Sequence, residues 1–205
     1  MLLLPTKKYG NSWLKIVFED KVLFTLPKTN DPAKEIYKIT NKWYRLFNPQ
    51  WINPANLPFS CITRTFKYID RAEEFHHTID GYYHKNSYAI YGSDPRPPTC
   101  GDVVWQFDSD ITSFDFKEFS ISVDNADGTI QFRSIDAQKI QKFGSLIKNT
   151  INPKVTLAPP SEPGDKTIPI RSSSSQDNSC KAIFQQICYE HQSGLKYRAP
   201  ILATL

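Results

Sequence analysis

Short runs in which apolar and polar residues alternate recur through the first two thirds of the sequence. Because successive side chains of a β-strand point to opposite faces, this period of two predicts half-buried strands. Residues 14–18 and 22–26 alternate in this way and predict a β-hairpin. The same reasoning predicts further strands at residues 59–68, 87–92, 103–107, 114–123 and 129–135. A chain with this pattern is expected to fold around a sheet.

Two segments have the period of an amphipathic helix instead. Residues 32–47 follow Asp31, a residue type that caps helices, and place Pro32 at the first helical position. Residues 137–151 follow Asp136 in the same way. We therefore predict an α+β fold in which a largely antiparallel sheet of about seven or eight strands, partly barrel- or sandwich-like, is flanked by two amphipathic helices.

The character of the sequence changes after residue 151. Residues 152–179 contain five prolines and a run of four serines, and they predict a flexible linker. Residues 180–205 regain apolar residues in a helical pattern. The sequence thus predicts a globular domain over 1–151, the linker, and a C-terminal docking helix with an extended segment over 180–205.

The C-terminal segment supplies the candidate partner-binding residues. Its apolar side chains are too dense to be left in water, so we expect something to cover them. They are Ile183, Phe184, Ile187, Leu195, Ile201 and Leu202. The segment can dock on its own domain or on another protein, and the periodicity favours neither.

The predicted helix 32–47 carries a basic stripe opposite its apolar one. A basic surface with interleaved aromatic rings is typical of single-strand nucleic-acid binding, since the cations neutralise phosphates and the rings stack on bases. The candidate residues are Lys34, Lys38, Lys42, Arg45, Tyr37 and Tyr44. The competing interpretation is a basic helix face that is simply solvated.

Three of the four histidines lie in the stretch FHHTIDGYYH, residues 75–84. As a helix this stretch would align ionisable side chains on one face, but Asp80-Gly81 between two β-prone runs predicts a hairpin. The hairpin would place His77 opposite His84, close enough to share a metal ion. Zinc sites need three or four protein ligands and no third ligand is suggested here, so we expect no metal site.

Charge and composition narrow the classes of function. The net charge of +4 is distributed as +7 over residues 1–67, −8 over 68–136 and +5 over 137–205, which favours two faces of opposite sign. The eight glycines form no phosphate-binding loop, so we expect no nucleotide and no other cofactor. Four scattered cysteines and the lack of a long apolar stretch predict an intracellular, cytoplasmic protein with no membrane span.

These expectations point first to a non-enzymatic binding or assembly protein. It would engage a protein partner, or another copy of itself, through the C-terminal segment. The first alternative is a protein that binds single-stranded RNA or DNA through helix 32–47. The second is a metal-dependent hydrolase built on His77 and His84.

Overall fold

The computed structural model describes residues 4–55, 61–140, 146–176, 179–187 and 190–191, which form an α+β fold made mostly of strands. The strands are β1 (Leu14–Phe18), β2 (Lys21–Leu26), β3 (Tyr88–Gly92), β4 (Asp94–Thr99), β5 (Val103–Phe107), β6 (Ile121–Asp124), β7 (Thr129–Phe132), β8 (Ile135–Ile140), β9 (Leu146–Ile151), β10 (Lys154–Leu157), β11 (Glu162–Gly164) and β12 (Ala182–Gln186). The α-helices are α1 (Pro49–Ile52), α2 (Cys61–Ile79) and α3 (Ile170–Ser173). Shorter helical turns lie at Lys7–Tyr9, Ala33–Tyr37 and Phe116–Glu118.

The chain divides into two compact units, each assembled from separate stretches of sequence. Unit 1 comprises Met1–Tyr9, Asp70–Asp102 and Pro159–Leu205, and unit 2 comprises Gly10–Ile69 and Val103–Ala158. Neither unit is a continuous stretch like the predicted domain 1–151.

Unit 2 contains the large sheet of the fold. Its six strands lie in the order β2-β1-β5-β10-β7-β6. Neighbouring strands are antiparallel except for β1 and β5, which run parallel. The α+β class and the strand-rich sheet are therefore confirmed. The sheet is open, with β2 and β6 at its edges, and the described residues contain no closed barrel.

Strand β10 corrects the prediction of a flexible linker over residues 152–179. It lies in the middle of the sheet, hydrogen-bonded to β5 on one side and β7 on the other. Val155 at its centre has 0% exposed surface. Prolines such as Pro153 indicated a linker in the sequence. Pro153 instead lies just before the strand, where its carbonyl accepts a 3.0 Å hydrogen bond from the backbone N–H of Phe132.

The segment 32–47 forms a π-helical turn and then irregular backbone, so the predicted amphipathic helix is wrong beyond its first turn. The cap is present, because Asp31 Oδ1 accepts a 3.1 Å hydrogen bond from the backbone N–H of Lys34. Two pairs of adjacent residues are buried here, Ile36-Tyr37 and Trp43-Tyr44. On a regular helix these four positions would lie within an arc of about 120°, so the spacing that predicts a helix is kept although the backbone after Tyr37 is irregular.

Trp43 is the centre of an aromatic cluster that packs this segment on the sheet. Its ring centroid lies 5.2 Å from that of Phe132, 5.7 Å from that of Phe107 and 5.9 Å from that of Trp105, all in edge-to-face geometry. Its indole N–H donates a 2.8 Å hydrogen bond to the carbonyl of Phe116. Trp43 therefore anchors segment 32–47 on the sheet through both apolar and polar contacts.

The second predicted helix, 137–151, is also wrong. Its described residues, 137–140 and 146–151, belong to the antiparallel pair β8 and β9, in which Ile135 pairs with Ile151 and Ile140 with Leu146. Isoleucine recurs through this stretch at 140, 147 and 151, and β-branched side chains favour strands.

Helix α2 replaces both the predicted strand 59–68 and the hairpin that follows it. Its less exposed apolar side chains, Ile62, Phe66, Ile69 and Ala72, recur every three or four residues, which is the period of a helix. The Asp80-Gly81 pair ends the helix rather than turning a hairpin, with Gly81 at a φ of +71°. A left-handed glycine just past the last turn is a common helix terminator.

Strand β12 replaces the predicted C-terminal helix. It runs parallel to β3, pairing Ala182 with Tyr88 and Gln186 with Gly92. This strand begins where the predicted docking segment begins, so that part of the segment docks on its own chain.

Candidate functional site

The residues of the predicted basic stripe do not share one face. Lys34 is exposed, whereas Lys42 pairs with Glu118 and the guanidinium of Arg45 donates to the carbonyl of Lys42. The hydrogen bond to Glu118 raises the pKa of Lys42. Lys38, the remaining basic residue, is half-buried.

The two tyrosines of the same set belong to the core of unit 2. Tyr37 packs against Trp13 with ring centroids 6.2 Å apart, and Tyr44 packs against Phe24 at 5.8 Å. Burial raises the pKa of Tyr44. With both rings buried, neither offers a face on which a base could stack.

The histidine pair is separated by the end of α2. His77 lies in the last turn of the helix and His84 beyond Gly81, where its Nδ1 accepts a 3.2 Å hydrogen bond from the backbone N–H of Asn86. Both side chains are exposed. Within the described part of the chain, no three histidine, cysteine or acidic side chains are arranged to hold a metal ion.

The C-terminal candidates fall into two groups. Ile183 and Phe184 are half-buried in β12, whereas Ile187, just beyond the strand, is 70% exposed. Leu195, Ile201 and Leu202 lie outside the described residues.

Buried hydrophobic side chains are concentrated in unit 2. Every large apolar residue that is buried in the described structure belongs to that unit. Each unit exposes six large apolar side chains among the described residues, but five of the six in unit 1 fall within residues 75–88. The described part of unit 1 is therefore built largely without a hydrophobic core.

Four of these exposed side chains lie at the end of α2 and in the turn after it. We call this group the aromatic surface; it consists of Phe75, Ile79, Tyr82 and Tyr83, which are between 42% and 85% exposed. Phe75 and Ile79 are four residues apart, so they lie on one face of the helix. Tyr82 follows directly, because its backbone N–H donates a 3.0 Å hydrogen bond to the carbonyl of Ile79.

The N-terminal segment holds this end of the helix. Lys7 Nζ lies 3.7 Å from a carboxylate oxygen of Glu73, and Lys8 pairs with Asp80. These pairs neutralise two acidic residues beside the aromatic surface. Exposed ion pairs contribute little to stability, so their main consequence is for the charge of the surface.

A polar cluster around Arg171 joins all three sequence segments of unit 1. The guanidinium binds Asp102 at 2.5 Å and Glu162 at 3.0 Å, and its carbon lies 4.6 Å from the ring centroid of Tyr9. The Tyr9 hydroxyl donates a 2.6 Å hydrogen bond to the carbonyl of Gly101. Burial raises the pKa of Tyr9, which keeps that hydroxyl protonated as a donor.

A second polar contact fixes the end of the described chain. The buried carboxylate of Asp165 accepts hydrogen bonds from the backbone N–H groups of Thr167 and Ile168 and contacts His191 Nδ1 at 2.9 Å. The backbone N–H of His191 donates to the carbonyl of Asp165 at 2.9 Å. Unit 1 is thus held by polar contacts while its aromatic side chains remain on the surface.

Sequence reasoning missed the aromatic surface because it assigned residues 75–84 to a hairpin. The available signal was the spacing of Arg71, Phe75 and Ile79, which recur every four residues. That spacing predicts one helix stripe once the helix is recognised.

Comparison with known proteins shows the fold. No family model and no curated protein matches the sequence. A solved chain described as "The crystal structure of Tle4-Tli4 complex" is similar over 99% of this chain, with a TM-score of 0.70 and 22% sequence identity. The chain spans 44% of the length of that solved chain. None of the described helices is both long and apolar enough to cross a membrane.

Proposed function

We propose that this chain is a non-enzymatic binding protein that docks on a protein partner through the aromatic surface of unit 1. The observation that carries the proposal is the concentration of exposed aromatic and aliphatic side chains within residues 75–88, in a unit whose described residues bury no large apolar side chain. Tyrosine and phenylalanine are enriched at protein interfaces, because they bury a large area at little cost in side-chain entropy.

The similar solved chain supports the same class of function. It comes from a complex named after two proteins, Tle4 and Tli4. A chain with a similar fold that binds a protein partner would need an apolar surface outside its core. The aromatic surface meets that need.

Only one residue of the predicted C-terminal docking segment is part of this proposal. Ile183 and Phe184 pair within the chain, so the partner does not need to cover them. Ile187 remains exposed after β12, and we propose that it contacts the partner as well.

The test compares matched variants of the full chain. Phe75→Gln combined with Tyr82→Gln removes two exposed aromatic anchors without adding charge, and both positions are exposed enough for the fold to be retained. The control combines Val22→Gln with Trp51→Gln, two exposed apolar positions of unit 2. Each chain is immobilised and used to capture a partner from cells of its source. The captured protein is then purified and its affinity is measured by calorimetry.

We expect the partner to bind the wild-type and control chains equally. It should bind the Phe75→Gln/Tyr82→Gln chain about a hundredfold or more weakly, because each interface anchor contributes roughly 2 kcal/mol. Equal affinity for all three chains, or a loss confined to the control, would refute the proposal.

A further inference from the structure

We propose that the partner's docking site is an apolar patch flanked by carboxylates. This inference rests on the proposed function and specifies the chemistry of the partner. It follows from the charges around the aromatic surface, which are not balanced.

Arg71 supplies the first unbalanced charge. It lies four residues before Phe75, about 40° around the helix from it, and so belongs to the same exposed face. In the described structure Arg71 makes no ion pair and no side-chain hydrogen bond. Its charge is therefore available to a partner.

Lys85 supplies the second, beyond the other end of the surface in the sequence. It follows Tyr83 by two residues, is exposed, and makes no ion pair among the described residues. The residues of the aromatic surface are thus preceded and followed in the sequence by an exposed cation with no ion pair in the described structure.

The nearby acidic residues do not offset these cations. Glu73 and Asp80 are neutralised by Lys7 and Lys8. Glu74 and Asp70 are exposed but lie about 100° and 140° around the helix from Phe75, away from the centre of the stripe. A partner with basic residues around its docking site would be repelled by Arg71 and Lys85, whereas one with acidic residues there would form ion pairs with both.

Apolar contact and charge have separable effects on such an interface. The buried rings supply most of the affinity, while charges at the rim select the partner and speed association. The partner should therefore tolerate loss of the rim cations better than loss of the rings.

A displayed library of random 16-residue peptides tests this chemistry. The immobilised full chain selects binders, and peptides that also bind the Phe75→Gln/Tyr82→Gln chain are removed. We expect the retained peptides to combine aromatic or aliphatic residues with flanking Asp and Glu.

One charge variant and a matched control test the role of Arg71. Arg71→Glu should weaken binding of a synthetic copy of the best peptide by about threefold to tenfold, and added salt should reduce the difference. The matched control is Arg133→Glu, an exposed arginine of unit 2, which should leave binding unchanged.

The outcomes separate this inference from the proposed function. Retained peptides that are neutral or basic, or an affinity that Arg71→Glu leaves unchanged, would overturn the acidic-rim inference while the aromatic surface keeps its role. Failure to retain any peptide that depends on Phe75 and Tyr82 would also overturn the inference. The proposed function is judged separately, by the affinity of the captured partner for the matched chains.

Discussion

Gly101 packs so closely under Glu162 that a Cβ atom there would lie 1.7 Å from the Glu162 carboxylate oxygen Oε2. The same Cβ would lie 2.6 Å from a guanidinium nitrogen of Arg171. The absence of a side chain at Gly101 therefore allows the carboxylate and the guanidinium to meet above it.

Gly101→Ala is expected to displace the Glu162 side chain and to weaken its contact with Arg171. The loss should be about 1–2 kcal/mol in the free energy of unfolding, because the clash is with the flexible end of a side chain and one charge-assisted contact is lost. In a Glu162→Ala background the same substitution should cost clearly less. Denaturant unfolding of the four chains gives the coupling energy, and strictly additive effects would contradict this account.

Arg171→Lys is expected to destabilise unit 1 although it keeps the charge. Lysine lacks the planar fork that reaches Asp102 and Glu162 together, and it does not stack on Tyr9 as a guanidinium does. Amide hydrogen exchange should become faster in β4 and β11 by more than it does for the control Arg133→Lys. Unchanged protection of these strands would contradict the role assigned to Arg171.

Trp43→Phe is expected to destabilise unit 2 by roughly 1–3 kcal/mol, because it removes packing and the shorter of the two hydrogen bonds that the Phe116 carbonyl accepts. The matched substitution Trp51→Phe changes a side chain that is 56% exposed and should be nearly neutral. Thermal unfolding followed by circular dichroism distinguishes the two. Equal midpoints would show that Trp43 is not the anchor of segment 32–47.

Glu35 should make stability depend on pH in the acid range. Burial alone would raise its pKa, but hydrogen bonds from the Thr29 side chain and from the backbone amides of Lys28 and Thr29 outweigh burial and lower it. A lowered pKa in the folded state gives stability that is present above the unfolded value and is lost as pH falls through the folded value.

Glu35→Gln should therefore cost roughly 1 kcal/mol at neutral pH, the low end for charge-assisted bonds because the carboxylate remains in contact with solvent. The cost should shrink as the pH falls below about 4. The control is Glu74→Gln, an exposed glutamate, which should show no such convergence. A cost independent of pH would exclude the charged carboxylate as the cause.

Truncation after Pro153 is expected to prevent folding of unit 2, because it removes β10 from between β5 and β7. Val155→Asp should have a similar effect in the full-length chain, since it would place a charge at a fully buried position. Thr156→Asp, on the exposed side of the same strand, is the control. A soluble, cooperatively folding 1–153 fragment would contradict this prediction.

Sequence patterns predicted the strands whose alternation is regular and local. The β1–β2 hairpin and β5 follow directly from side chains that face the core at every second position. The same reasoning failed for α2, because its aromatic and β-branched residues favour a strand locally and the Asp80-Gly81 pair is equally suited to end a helix. Here the tertiary context decided between two locally acceptable structures.

The candidate site was predicted less well than the sheet. Tyr37 and Tyr44 were predicted to lie on the surface, but both are buried beside their apolar neighbours Ile36 and Trp43. The periodicity of the sequence does not show which face of the segment packs on the sheet. The aromatic surface was hidden for the opposite reason, since exposed Phe75 and Tyr82 look like core residues in a sequence. Exposure of a large apolar side chain is visible only once the fold is known.

The central position of β10 also affects how the protein is made. Lys154 leaves the ribosome about 20 residues after Phe132, a delay of roughly 1–4 s at ordinary rates of synthesis. During that interval the nascent sheet consists of two halves, β2-β1-β5 and β7-β6, each with an unpaired inner edge. Such edges readily pair with other chains. The strand that completes the middle of the sheet is the last to be synthesised, so the growing polypeptide is most vulnerable to aggregation just before unit 2 closes.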